Sequence, residues 1–190
     1  MIDRDASDAD LARRAADGED AAFTVLMRRH KAGLYRFVRR YVGQPDAAFE
    51  VVQETFASAW SHLSRYDPSR AFPTWLRAIA LNKCRDRGRR ETVRRLVMGH
   101  RDLDSGEALA LADPAAGAEV ALMESERRAA LDAAIAALPA KLKEPLILTA
   151  FEDMSHQEAA RLLGVTPKTI ETRIYRARRR LAEALGGLDA

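Results

Sequence analysis

Apolar positions recur along most of this chain at three- and four-residue steps. From Asp20 to Tyr41 they fall at Phe23, Leu26, Met27, Leu34, Phe37, Val38 and Tyr41, the spacing of one buried helix face. Gly43-Gln44-Pro45-Asp46 breaks the pattern. Val51, Val52, Thr55, Phe56, Ala59, Trp60 and Leu63 form the next stripe. Ser64 to Pro73 reads as a loop, and a third helix starting near Thr74 carries Trp75, Leu76, Ile79 and Ala80. Alternating β-branched runs are absent, so the predicted fold class is all-α. From roughly Glu91 to Leu122 the periodicity lapses among Asp102, Asp104, Gly106, Asp113, Pro114 and Gly117. That stretch reads as a flexible acidic linker, with transient helix near Glu107 to Ala112. Helical spacing resumes with Leu131, Ile135 and Leu138, stops near Pro139, and returns at Leu146, Ile147, Leu148 and Phe151. The expectation is two small helical domains, residues 1–92 and 123–190, joined by a linker at 93–122. Blocks of that size build small cores and are marginally stable alone.

The sharpest local signal is Ser155-His156-Gln157-Glu158-Ala159-Ala160-Arg161-Leu162-Leu163-Gly164-Val165-Thr166-Pro167-Lys168-Thr169-Ile170. Ser155 and Glu158 have capping-box spacing. Gly164 sits where a left-handed residue ends a helix. Thr166 then caps a second helix, and Pro167 suits its first position, whose N–H has no partner in any case. So short a connection predicts a tight helix-turn-helix. On the second helix Ile170, Ile174, Ala177 and Leu181 share one face. Lys168, Thr172, Tyr175 and Arg179 point the other way, with Glu171 and Arg176 at the edges. Donors and a ring on an outward face suit a helix that reads base edges in a major groove. The competing reading is a basic solvated face in an unrelated bundle.

Charge distribution supports a polyanion partner more than the net value of +3 does. Arg77 to Arg101 holds nine basic residues against Asp86 and Glu91. Asp102 to Glu126 holds seven acids and no base, and Thr166 to Arg180 holds six bases against Glu171 alone. The one cysteine, Cys84, rules out an intramolecular disulfide framework or a multi-cysteine zinc site. It reads as a small buried side chain, with no resolving thiol for a redox role. The four histidines have no metal-ligand spacing. No apolar run is long enough for a membrane span, and Met1-Ile2-Asp3-Arg4-Asp5 is no secretory signal. A cytoplasmic location is expected. Paired carboxylates with metal spacing, nucleophilic triads and phosphate-cradling glycine loops are missing, so neither an enzyme nor a cofactor is expected.

Three segments carry a family resemblance. They are Glu50-Val51-Val52-Gln53-Glu54-Thr55-Phe56-Ala57-Ser58-Ala59-Trp60, Phe72-Pro73-Thr74-Trp75-Leu76-Arg77-Ala78-Ile79-Ala80-Leu81-Asn82-Lys83-Cys84-Arg85-Asp86, and Leu138-Pro139 with the helix-turn-helix ending Thr172-Arg173-Ile174-Tyr175-Arg176-Ala177-Arg178. In this order and spacing they resemble the extracytoplasmic-function (ECF) sigma factors of bacteria, in the sigma-70 family. The resemblance implies that the front domain is sigma region 2, a helical bundle that docks on the β′ clamp helices of core RNA polymerase and melts the −10 promoter element. It implies that the rear domain is sigma region 4, whose helix-turn-helix binds the −35 element and whose domain contacts the β flap. An anti-sigma factor partner is implied as well.

Carried over residue by residue, the resemblance puts polymerase docking on Glu50, Gln53 and Glu54, which share a helix face. It puts −10 recognition on Tyr66, Asp67, Ser69 and Arg70 of the loop, where a flipped base needs stacking and edge-reading groups. Thr74, Asn82 and Arg85, with the basic tail Arg87, Arg89 and Arg90, would track the strand and its phosphates. The −35 recognition helix is assigned Lys168, Thr169, Glu171, Thr172, Arg173, Tyr175, Arg176 and Arg179. Phe56, Trp60 and Trp75 read first as core; for Phe56 and Trp60 an apolar docking contact is the alternative. Three residues depart from the family pattern. Phe49 stands where an acid is common. Pro73 replaces a non-proline residue. Glu171 is an acid where a base is frequent, and it suits a cytosine amino group. The alternative function is an autonomous helix-turn-helix transcriptional regulator, which leaves the front domain unexplained.

Overall fold

The computed structural model describes residues 6–98 and 118–186. Eight α-helices are present among them: α1 (Asp8–Ala16), α2 (Asp20–Val42), α3 (Pro45–Ser61), α4 (Phe72–Met98), α5 (Ala118–Ala137), α6 (Ala140–Ala150), α7 (His156–Leu163) and α8 (Pro167–Leu185). A single 3-10 turn, Leu63–Arg65, follows α3. No strand occurs among the described residues.

Helices α1–α4 form the front unit. Ser7 caps α1 by accepting from the Asp10 N–H. Asp8 then ties α1 to α2 through Arg29 at 2.9 Å and His30 at 2.7 Å. Leu11, Leu26, Phe37, Val38, Phe72 and Leu76 are buried between the helices, and the loop between α3 and α4 is pinned to this core by Tyr66, whose ring packs on Phe72. Helix α2 ends at Gly43, which takes the left-handed conformation (φ +85). A Cβ there would lie 2.8 Å from Ala136 Cβ on α5, so the glycine also permits a close approach of the rear unit.

Helices α5–α8 form the rear unit around Ile135, Ile147, Leu148 and Ile170. Helix α4 runs on to Met98 and α5 begins at Ala118, so helix occupies both ends of the 93–122 stretch. The transient helix expected near Glu107 to Ala112 lies outside the described residues.

The two units do not keep separate cores. One continuous cluster of buried residues spans both. Lys143 donates to the Tyr41 carbonyl at 2.9 Å and to the Ala136 carbonyl, and its ammonium lies 4.7 Å from the Tyr41 ring centre. Tyr41 donates to Glu144 at 3.1 Å. The Arg40 guanidinium lies 3.9 Å from the Phe151 ring centre, within cation–π range. The small cores expected for the two halves are thus extended into each other through the end of α2.

Candidate nucleic-acid interface

The helix-turn-helix is built as its sequence prescribes. The Ser155 hydroxyl accepts from the Glu158 N–H at 3.2 Å, and Glu158 accepts from the Ser155 N–H at 2.8 Å and its hydroxyl at 2.7 Å. Those bonds from Ser155 hold the Glu158 carboxyl below the usual range. Gly164 ends α7 in the left-handed conformation (φ +66). Thr166 caps α8 by accepting from the Thr169 N–H at 3.2 Å.

Ile170, Ile174 and Ala177 seat α8 on the rear core, and Leu181 is half-buried. Lys168, Glu171, Thr172, Tyr175, Arg176 and Arg179 are exposed on its outer side. Tyr175 is 68% exposed, a large exposure for an aromatic ring with no structural need of water. Thr169 and Arg173 are half-buried at the margins. Lys168 donates to Glu171 at 2.9 Å, which lowers the Glu171 carboxyl and raises the lysine. Arg179 pairs with Glu183 at 3.0 Å. These exposed pairs are weak and exchange readily for a phosphate or base edge.

The loop before α4 is ordered by its own side chains. Asp67 accepts from the Ser69 N–H at 2.9 Å, the chief reason its carboxyl is held low. Tyr66 donates to the Arg70 carbonyl at 2.6 Å, and its ring lies 5.4 Å from Phe72 and 5.2 Å from Trp75. Trp75 is half-buried and packs against the core, with its ring beside Phe72. Asp67, Ser69 and Arg70 are exposed, so a preformed loop offers polar groups beside an aromatic cluster.

On α4, Asn82 is exposed and Thr74 half-buried. Arg85 is already engaged: it donates to Glu144 of α6 at 2.7 and 2.6 Å and leans on Asn82 at 3.4 Å. In the basic tail, Arg87 pairs with Glu50 at 2.6 Å and Glu91 at 3.0 Å, and Arg89 pairs with Asp86.

Glu50, Gln53 and Glu54 are all exposed on α3, as the spacing requires. Phe56 is core at 4% exposed, but Trp60 is 41% exposed, which corrects its reading as core. Phe49 is 47% and Met27 36% exposed, with Lys31 5.9 Å from the Phe49 ring centre. Phe49 and Trp60 lie about three helical turns apart on one side of α3, so exposed apolar side chains border the polar face of Glu50, Gln53 and Glu54. The stripe count alone placed Trp60 inward; the missing signal is that α3 carries more apolar residues than one buried face holds. Lys143 and Glu144, both buried, also escaped the sequence reading. Their signal is a charged pair set directly against Leu142 and Leu146-Ile147-Leu148.

Comparison with known proteins fits this geometry. Residues 26–94 match the family model for sigma-70 region 2, and residues 128–181 match that for sigma-70 region 4. RNA polymerase sigma factor NccH of Alcaligenes xylosoxydans xylosoxydans is 37% identical over 176 residues, 92% of each chain. RNA polymerase sigma factor CnrH of Cupriavidus metallidurans is 38% identical over 177 residues, again 92% of each. The solved structure of CnrH in complex with the cytosolic domain of CnrY superposes with a TM-score of 0.65 at 32% identity, covering 96% of this chain and 99% of that one. The two region models and the relatives of nearly full length agree: this chain belongs to the ECF sigma factors of the sigma-70 family.

Proposed function

We propose that this sigma factor seats core RNA polymerase on promoters by dividing the work between its two units. The front unit, within residues 1–92, docks on the clamp helices through Glu50, Gln53 and Glu54 together with the apolar strip of Phe49 and Trp60. Its loop takes a flipped −10 base beside Tyr66, with Asp67, Ser69 and Arg70 at the edges of the pocket. Extruding a base costs a few kcal/mol, which stacking and edge contacts offset. Thr74, Asn82 and Arg85 follow the strand. The rear unit, within residues 123–190, lays α8 in the −35 major groove: Lys168, Arg173 and Arg179 hold phosphates, while Glu171, Thr172, Tyr175 and Arg176 face base edges. Its place of work is the cytoplasm, with polymerase and promoter as partners and no chemistry of its own.

The observation that carries this reading is the amphipathic build of α8, whose inner face is sealed in the core and whose outer face holds exposed donors, an acid and an exposed tyrosine. CnrH has been solved bound to the cytosolic domain of a second protein, CnrY. A protein partner that holds the folded sigma factor away from polymerase, an anti-sigma factor, suits this chain as well.

Reconstituted transcription tests the proposal. Purified chain, core polymerase and a promoter library should give start-site transcription from a narrow set of promoters, and core alone none. Tight specific DNA binding by the chain without core, and no transcription with it, would instead establish an autonomous regulator.

A further inference from the structure

One carboxylate of α1 sits behind the loop proposed above to hold the −10 base. Asp8 accepts from His30 Nε2 at 2.7 Å and from Arg29 at 2.9 Å, both on α2. A carboxylate only accepts, so Nε2 carries the proton of this bond. The His30 ring lies 5.4 Å from the Phe72 ring at an interplanar angle of 41°. Phe72 meets Tyr66 edge-on at 5.4 Å and Trp75 at 5.6 Å. Phe72 is the buried ring, and half-buried Tyr66 and Trp75 carry the group out to the loop. Helix α1 also packs on the 3-10 turn Leu63–Arg65 that leads into that loop. Burial raises the Tyr66 hydroxyl, and the Asp8 charge raises it further. Asp8 is therefore within electrostatic reach of the stacking ring.

We propose that His30, held by Asp8, is a positioning residue for capture of the −10 base. It touches no DNA. It fixes Phe72, and Phe72 fixes the planes of Tyr66 and Trp75 on which an extruded base stacks. Aromatic stacking depends on ring offset and tilt. Rings set in place before the strand arrives spare the loop the cost of ordering on binding. This role rests on the −10 reading of the loop. It adds that α1, which carries no proposed contact to DNA or polymerase, sets how strongly the loop holds its base.

The test uses holoenzyme reconstituted from core polymerase and the full chain. The probe is a fluorescein-labelled, pre-melted −10 fragment of a promoter that the parent transcribes. Each non-template nucleotide is replaced in turn by an abasic site. The position where the parent loses most affinity marks the captured base, and the ratio of intact to abasic affinity there measures capture. The parent ratio should be about tenfold or more. His30→Leu keeps bulk but has no proton for Asp8, and should lower the ratio about fivefold. Asp8→Ala should do the same, and the double variant should fall no further, because the two residues act in one chain of contacts. His30→Gln still offers an amide proton to Asp8, and should recover roughly half of the lost ratio. Affinity for core polymerase and for the abasic fragment should match the parent throughout.

Tyr66→Ala is the reference, since it removes the stacking ring itself. If Tyr66→Ala lowers the ratio while His30→Leu and Asp8→Ala leave it at the parent value, the positioning role is overturned and the −10 reading stands. If His30→Leu and Asp8→Ala lose core and abasic-fragment affinity in equal measure, their role is support of the fold alone and the proposal fails. A parent with no abasic-sensitive position, or one whose ratio survives Tyr66→Ala, overturns the −10 reading of the loop and this role with it.

Discussion

The rings of Phe23 and Trp60 lie 4.9 Å apart at an interplanar angle of 57°, and Phe23 is buried while Trp60 keeps 41% of its surface open. Trp60 is held on its inner side by α2 and presents its outer side to solvent beside Gln53. A rigid, half-supported tryptophan of this kind is what energetic centres of protein interfaces are made of. Trp60→Ala is expected to weaken binding to core polymerase by about tenfold or more, on the order of 1.4 kcal/mol. Fluorescence anisotropy of labelled chain against core measures this, with circular dichroism to show unchanged helicity. Gln53→Ala with Glu54→Ala should also lower core affinity, since neither side chain supports the fold. Unchanged affinity in both cases moves the docking surface off α3.

Arg176 is exposed at the edge of the outer face of α8. Arg176→Ala should cost about 1–3 kcal/mol at the base pair it reads and relax the preference there, whereas Lys168→Ala should weaken all sequences alike. Selection of −35 elements by each variant holoenzyme from a randomised promoter pool reads both effects. A base preference that survives Arg176→Ala intact places recognition elsewhere on α8.

Gly164 has open space around the position of a Cβ, so a side chain there meets only the penalty of its left-handed backbone. Gly164→Ala should lower stability by about 1–2 kcal/mol, and Gly164→Asn by less, because asparagine visits that conformation more readily. Ser155→Ala, which removes the α7 cap, should cost about 1 kcal/mol. Urea denaturation of the three variants gives the ranking.

Burial pushes the Cys84 thiol from 9.0 up to about 12. The folded chain therefore keeps a proton that the unfolded chain releases above pH 9. Stability from this group is complete below about pH 9 and is lost as the pH rises toward 12. Tyr41, also raised by burial, acts in the same direction, and Lys143, lowered by burial, acts against it. Cys84→Ala should flatten the alkaline fall in urea midpoint relative to the parent, and the difference between the two curves isolates the thiol. The native thiol should resist a disulfide-exchange reagent at neutral pH until the chain unfolds.

Much of this molecule can be read from local rules. The caps at Ser155, Gly164 and Thr166 depend on residues within one turn of each other, and the structure builds each as its spacing dictates. The inner and outer faces of α8 follow from helical periodicity, so Ile170 and Tyr175 fell on the right sides. The exposed Glu50, Gln53 and Glu54 followed from the same geometry. Trp60 did not, because an apolar residue at helical spacing reads as core whether or not a neighbouring helix arrives to cover it.

What the sequence determined by itself is the helical class, the capped helix-turn-helix and the order of the segments that mark the family. What only tertiary structure decided is which charges meet. Arg85 and Glu144 are 59 residues apart in the chain, and no periodicity links them. Their pairing depends on how α2 ends at Gly43, on the small Ala136 opposite, and on Lys143 reaching the Tyr41 carbonyl. Local rules act over a turn or two of helix. A buried ion pair between units is set by the packing of whole helices, and that is a property of the folded chain alone.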